Sequence, residues 1–286
     1  MVEETTPAIR HSAREWLERL APAQVEFPDE VVDGLKAITL LTGRDAEWWL
    51  NRLLFIALKG RLQLEEIEPL RYKLGASEIP SDFRRLEPLR ISTHLTDVLA
   101  SSAFRADLRK DEFLFTIIRS SIFGVSSSDT SHVPPRFDGP DEASLKIWLP
   151  VSVHTAVTQL ASHWSLSVSD VLRNLLLEHL VGRLGLLRIV GSGHWMLRRR
   201  HKSSDGVEEI MFSKRQVADD EFRRRSYGVA TFGKSTVNIK LWCPFVLRDG
   251  LAQAATSHGL PLSDYVRLVT TGYVFGQLVT SPIVGK

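Results

Sequence analysis

The chain has a single cysteine, Cys243, which excludes an intramolecular disulfide framework and a multi-thiolate metal site and fits a reducing cytosol. It also has no long apolar run. The longest uncharged stretch, Leu268 to Val284, is broken by Thr, Gly, Gln and Pro, so no membrane span is expected. The first residues, Met1-Val2-Glu3-Glu4, lack the basic-then-apolar plan of a signal peptide, and a cytoplasmic protein is expected. Nine histidines are scattered without a metal-ligand cluster. No Gly-rich phosphate loop, G-x-S-x-G elbow or H-E-x-x-H motif occurs. Paired carboxylates such as Glu65-Glu66 and Asp219-Asp220 lie in polar connections, where solvated charge is the expected role. The expectation is therefore a protein that is not an enzyme, with no catalytic residue, metal or cofactor to nominate.

A dominant charge of one sign is missing too, but the net charge of +2 conceals an asymmetry. Residues 1–124 hold 17 Lys+Arg against 20 Asp+Glu, and residues 125–286 hold 19 against 14. The basic excess gathers in Arg198-Arg199-Arg200-His201-Lys202, Lys214-Arg215 and Arg223-Arg224-Arg225. Such a bias suits a polyanion partner for the second half alone, the plainer alternative being a solvated basic loop. At 286 residues, with 43% hydrophobic and 24% charged side chains, the chain reads as about two ordinary globular domains. The stretch 125–141, rich in Ser, Pro, Gly and Asp, is the expected linker between them. Near the start, Pro7 to Leu20 reads as a helix capped by Thr6 and serving as a packing arm.

What the chain does contain is a pattern written twice. Ser144-Leu145-Lys146-Ile147-Trp148-Leu149-Pro150 returns as Asn238-Ile239-Lys240-Leu241-Trp242-Cys243-Pro244. Alternation of apolar and polar residues describes a strand with one buried face, and Lys and Trp lie on the other. Each copy leads without a gap into two helical stripes. Val153, Val157 and Leu160 match Leu247, Leu251 and Ala254, and after a turn Ser167-Val168-Ser169-Asp170 matches Pro261-Leu262-Ser263-Asp264. A third copy runs from Gln24 through Pro28, Leu35, Gly43 and Asp45 to Leu54. A fourth, weaker copy places a strand at Arg90 to Leu95 and helices at Val98 to Asp107 and Asp111 to Phe123, which requires a first helix about one turn shorter.

A strand ending in Pro, then helix, capped turn and helix, resembles the ribbon-helix-helix family of DNA-binding proteins, to which Arc and MetJ belong. The resemblance implies a mainly α fold with short β-ribbons, in which tandem ribbon-helix-helix units form two intramolecular pseudo-dimers. Residues 1–124 would hold a degenerate N-terminal pair, with units at about 23–60 and 88–124 joined across 62–87. Residues 142–286 would hold a C-terminal pair, units 143–181 and 236–275, joined by a basic connection over 183–235. In that family a paired ribbon enters the major groove of double-stranded DNA and each second helix holds a phosphate at its start. By position the base-reading candidates are Ser144, Lys146, Trp148, Asn238, Lys240 and Trp242. The phosphate candidates are Ser167, Ser169 and Ser263, with Arg198, Arg199, Arg200, Lys202, Arg223, Arg224 and Arg225. The two Trp depart from the polar residue usual at their place in the family, and simple helix capping is the alternative role for Ser167 and Ser263.

Covalent pairing implies that the C-terminal pair reads an asymmetric site. Glu26, expected on the outward face of the N-terminal ribbon, is unfavourable beside phosphates, although Arg90, Ser92 and His94 stand on its partner strand. That pair is expected to serve self-association or a protein partner. The function implied is a sequence-specific, nucleoid-associated transcription regulator. The alternative is an architectural or accessory DNA-binding protein of plasmid transfer or partition. A purely protein-binding role would show no salt-dependent duplex binding.

Overall fold

The computed structural model describes residues 20–25, 27–63, 89–125, 143–191 and 234–276. The proposed N-terminal arm (apart from Leu20), the linker beyond Val125 and the basic clusters from Arg198 to Arg225 lie outside the described residues. Within them the fold is mainly helical, with two short antiparallel ribbons.

Four strand–helix–helix units follow one another. Unit 1 comprises β1 (Leu20–Val25), α1 (Asp29–Thr42) and α2 (Ala46–Lys59), followed by a single 3₁₀ turn at Arg61–Gln63. Unit 2 comprises β2 (Leu89–Ser92), α3 (Thr93–Arg105) and α4 (Lys110–Phe123). Unit 3 comprises β3 (Ala143–Pro150), α5 (Val151–Trp164) and α6 (Val168–Gly191), and unit 4 comprises β4 (Ser235–Cys243), α7 (Phe245–Ser257) and α8 (Leu262–Phe275). First helices begin at 29, 93, 151 and 245 and second helices at 46, 110, 168 and 262, so the interval is 17 residues in all four units.

Local chemistry explains the shared spacing. Pro28, Pro150 and Pro244 precede their helices with φ near −58°; a residue without an N–H ends a ladder and suits a helix start. The turn between helices uses a left-handed residue at the equivalent place in each unit: Gly43, Asp107, Ser165 and Gly259. In unit 3 the Ser167 hydroxyl accepts the Asp170 N–H at 3.1 Å and so caps α6. In unit 1 the Asp45 carboxylate accepts the Trp48 N–H at 2.6 Å and caps α2.

Unit 2 corrects the sequence reading. Its strand ends at Ser92, its first helix starts at Thr93, and no shortening relative to the other units is needed. His94 and Leu95 belong to α3, with Leu95 buried, because Ser92 takes the place that proline holds elsewhere and hides the helix start. The other ends shift by a few residues: β1 begins at Leu20, and α4 begins at Lys110. The connection after unit 3 is also not wholly a basic loop. Helix α6 kinks at Gly182 and continues to Gly191, with Leu184 and Leu187 buried among residues of units 1 and 2.

β1 pairs with β2 and β3 with β4, both antiparallel. Two cores result, one under each ribbon. The first unites Leu35, Leu50, Leu54, Leu99 and Ile118; the second unites Leu149, Leu172, Leu176, Leu241, Leu251 and Val266. Between them the second helices meet by their C-terminal tips, unit 1 against unit 4 and unit 2 against unit 3. Gly60 faces Gly276 and Gly124 faces Gly182 so closely that an added Cβ would stand 2.1–2.4 Å from backbone of the opposite tip. A buried ionic cluster spans this seam: Glu178 accepts from Arg61 and, at 2.8 Å, from Arg183. Arg61 also stacks over Trp164 and Tyr273, and Arg183 over Trp49.

Candidate nucleic-acid interface

The C-terminal ribbon follows the alternation written in its sequence. Ala143, Leu145, Ile147 and Leu149 are buried on β3, as are Leu241 and Cys243 on β4. Ser144, Lys146, Lys240 and Trp242 are exposed, and Trp148 and Asn238 are half-buried. All six sequence candidates alternate with these core residues and so share the outward face. They stand as three cross-strand pairs: Ser144 opposite Trp242, Lys146 opposite Lys240, and Trp148 opposite Asn238.

The central pair is electrostatically costly in the free protein, because like charges directly opposite across a ribbon repel. Each ammonium is held by its own strand. Lys240 Nζ lies 4.3 Å from the centroid of Trp242, and Lys146 Nζ lies 5.4 Å from that of Trp148. Cation–π attraction of this kind is worth about 0.5–1 kcal/mol at an exposed site and leaves the charge available. The tryptophans therefore act on the ribbon as rests for the lysines.

A pocket of ≈ 220 Å³ opens beside β3, lined by Ser144, Lys146, Arg248, Leu262, Ser263 and Val266. It joins the outward face to the first turn of α8, where free N–H groups and the helix dipole favour an anion. Arg248, from the first turn of α7, is exposed and adds a cation. The sequence reading missed Arg248, because helix periodicity alone gave no reason to set it beside the ribbon. Its counterpart in unit 3 is His154, whose pKa is lowered by burial. Ser167 has its hydroxyl committed to Asp170, to which it donates at 2.7 Å, so its described role is capping. Ser263 lines the pocket, and Ser169 is half-buried in the first turn of α6. Asp170 and Asp264 at these starts are each held by an arginine, Arg173 at 2.7 Å and Arg267 at 3.0 Å.

The N-terminal ribbon is built differently at the same places. Second-helix positions occupied by Ser169 and Ser263 carry Asp111 and Glu47 in units 2 and 1. Glu47 Oε2 accepts from both the backbone N–H and the Nε of Arg90, at 3.2 and 3.1 Å. The exposed cation of β2 is thereby turned onto the start of α2 in the neighbouring unit. Ser92 is fully buried, its N–H donated to Asn51 Oδ1 at 2.7 Å, and His94 is helical, so neither stands on the outward face. Asn51 also donates to the Arg90 carbonyl at 2.8 Å, as Arg267 donates to the Trp148 carbonyl at 2.8 Å in the other half.

Among the described residues no three His, Cys, Asp or Glu side chains converge as a metal site, and no helix is long and apolar enough to cross a membrane. Another hollow, ≈ 660 Å³ along α5, is lined by His154, Thr155, Thr158, Gln159, Ser162 and His163, all of one helix. Comparison with protein-family models, with curated proteins and with solved structures finds no match to this chain.

Proposed function

We propose that the chain is a sequence-specific double-stranded DNA-binding protein of the ribbon-helix-helix type. Its four units make two intramolecular pseudo-dimers, one in 1–124 and one in 142–286, and the C-terminal ribbon is the reading element. The observation that carries this is the outward lysine pair at the ribbon centre, Lys146 opposite Lys240, with Ser169 and Ser263 at the second position of the adjoining second helices and the acids that follow, Asp170 and Asp264, each paired to an arginine. Two facing ammonium groups favour a polyanion, and a two-stranded ribbon fits a major groove about 12 Å wide. In this reading Lys146 and Lys240 reach the guanine O6 and N7 acceptors, the tryptophans meet sugar edges or thymine methyls, and the pocket by Ser263 and Arg248 takes a phosphate. The role fits a transcription regulator acting at the nucleoid.

The N-terminal pair serves a protein partner or self-association. Glu47 and Asp111 at its helix starts and the Arg90–Glu47 ion pair support that division of labour. Duplex binding by the full chain, measured between 50 and 200 mM salt, tests the proposal. Affinity falls by about 500-fold across that range if about five phosphates are contacted. The double variant Lys146→Ala/Lys240→Ala loses base preference at the centre of the selected site. Binding that ignores salt, or a double variant with unchanged preference, contradicts the reading.

A further inference from the structure

The pairing of β3 with β4 fixes how symmetric the reading face is. A shift of 94 residues carries unit 3 onto unit 4, and the antiparallel register sets Lys146 directly against Lys240. The local two-fold of the ribbon therefore passes between those two lysines. It exchanges Lys146 with Lys240, Trp148 with Trp242, and Ser144 with Asn238. Of the three outward positions, two are identical in the halves and only one differs.

That one difference has chemical content. Ser144 is exposed, and a hydroxyl both donates and accepts, so it discriminates poorly between bases. Asn238 sits opposite Trp148, and its Oδ1 is covered with no hydrogen-bond partner among the described residues. A carboxamide that presents both groups to adenine uses Oδ1 for the N6 amino group and Nδ2 for N7, so turning the half-buried Asn238 side chain outward gives the covered, unmet acceptor a partner there.

We infer that the C-terminal ribbon reads a near-palindrome whose two halves agree except at one base pair, where the half under Asn238 requires adenine and the half under Ser144 does not. This rests on the DNA-binding reading above, and it narrows the asymmetric site expected from covalent pairing to a single position. Ser144 and Asn238 are thus the residues that give the operator its direction. The tryptophans and lysines set the half-site common to both sides.

Selection of bound duplexes from a random pool tests this with three full-length proteins: the native chain, Ser144→Asn and Asn238→Ser. The native chain enriches adenine at one of the two related positions. Ser144→Asn enriches it at both and yields a true palindrome, and Asn238→Ser enriches it at neither. Replacing that adenine weakens native binding about 5- to 150-fold and leaves Asn238→Ser nearly indifferent. A fully symmetric native site, or a Ser144→Asn site unchanged from native, overturns the inference while leaving DNA binding intact. If the native chain enriches no duplex and shows no salt-dependent binding, the DNA-binding reading itself falls. Equal thermal midpoints for the three proteins show that their folds are the same; the exposure of Ser144 makes that the expected result for Ser144→Asn, and removal of a covered, unpartnered carboxamide oxygen gives Asn238→Ser no hydrogen bond to lose through that atom.

Discussion

At the residue scale, the same side-chain type does opposite work according to where the fold sets it. Arg248 beside the ribbon pocket is exposed, whereas Arg61 and Arg183 are spent on Glu178 in the seam. Arg248→Ala is expected to weaken duplex binding about equally for all sequences. It should also reduce the slope of log affinity against log salt by about 0.9, the signature of one lost phosphate contact. A sequence-selective loss would mean that Arg248 touches bases instead. His179 illustrates the buried extreme. Its Nε2 lies 2.7 Å from the Tyr265 hydroxyl, and burial, aided by the nearby His258, lowers its pKa from 6.5 to about 3. The native state therefore binds fewer protons than the unfolded chain between those values. The contribution is complete above pH 6.5 and is lost as pH falls toward 3. Melting temperatures measured from pH 7 to pH 4 should drop more steeply for the native protein than for His179→Gln. Parallel curves would remove His179 as the cause.

At the element scale, the positive-φ glycines at helix ends divide into those with room and those without. Gly60, Gly124, Gly182 and Gly276 occupy one equivalent place in the four units, each 14 residues beyond the start of its second helix. All four have positive φ, and all four lie against the backbone of another unit. Gly43 also has positive φ, but an added Cβ there meets nothing within 4 Å. Gly43→Ala should therefore cost only the left-handed penalty, about 1–2 kcal/mol. Gly124→Ala or Gly182→Ala should cost about 3 kcal/mol or more, because two helix tips must separate as well. Denaturant midpoints check the ordering, and equal losses would deny the close crossing. These glycines were in plain sight in the sequence, but a glycine after a helix reads as an ordinary end cap. Its four-fold recurrence carried the missing message. The C-terminal strands were legible because Lys and Trp alternate cleanly with Leu and Ile. The start of unit 2 was not, since Ser92 replaces proline and His94 blurs the boundary between strand and helix. The pocket at Arg248 was illegible for another reason: it depends on how α7 and α8 meet β3, and no local pattern encodes that.

At the scale of the whole molecule, the units close a ring. Ribbons join unit 1 to 2 and unit 3 to 4, while helix tips join unit 2 to 3 and unit 4 to 1. Each unit thus leans on two others, the arrangement four separate chains would adopt in a symmetric tetramer. The two cores are also cross-linked by sequence. Leu184 and Leu187, past the kink in α6, are buried with units 1 and 2, and Ile56 of α2 is buried with units 3 and 4. Such sharing opposes independent melting of the halves. The full chain should therefore unfold in one calorimetric transition whose van't Hoff and calorimetric enthalpies agree. Leu184→Ala should lower that single transition as a whole, by about 2–5 kcal/mol of stability for a buried leucine. Glu178→Gln should do the same from the other side of the seam, since it removes the buried carboxylate shared by Arg61 and Arg183, at a cost of up to about 3–5 kcal/mol. Two resolved transitions, with Leu184→Ala moving one of them and Glu178→Gln the other, would mean that the seam is a contact between autonomous halves. A single transition moved by both would show that the lysine-bearing ribbon unfolds together with the far end of the molecule. Under the proposed DNA-binding function, destabilising the N-terminal pair would then weaken duplex binding even where that pair touches no DNA.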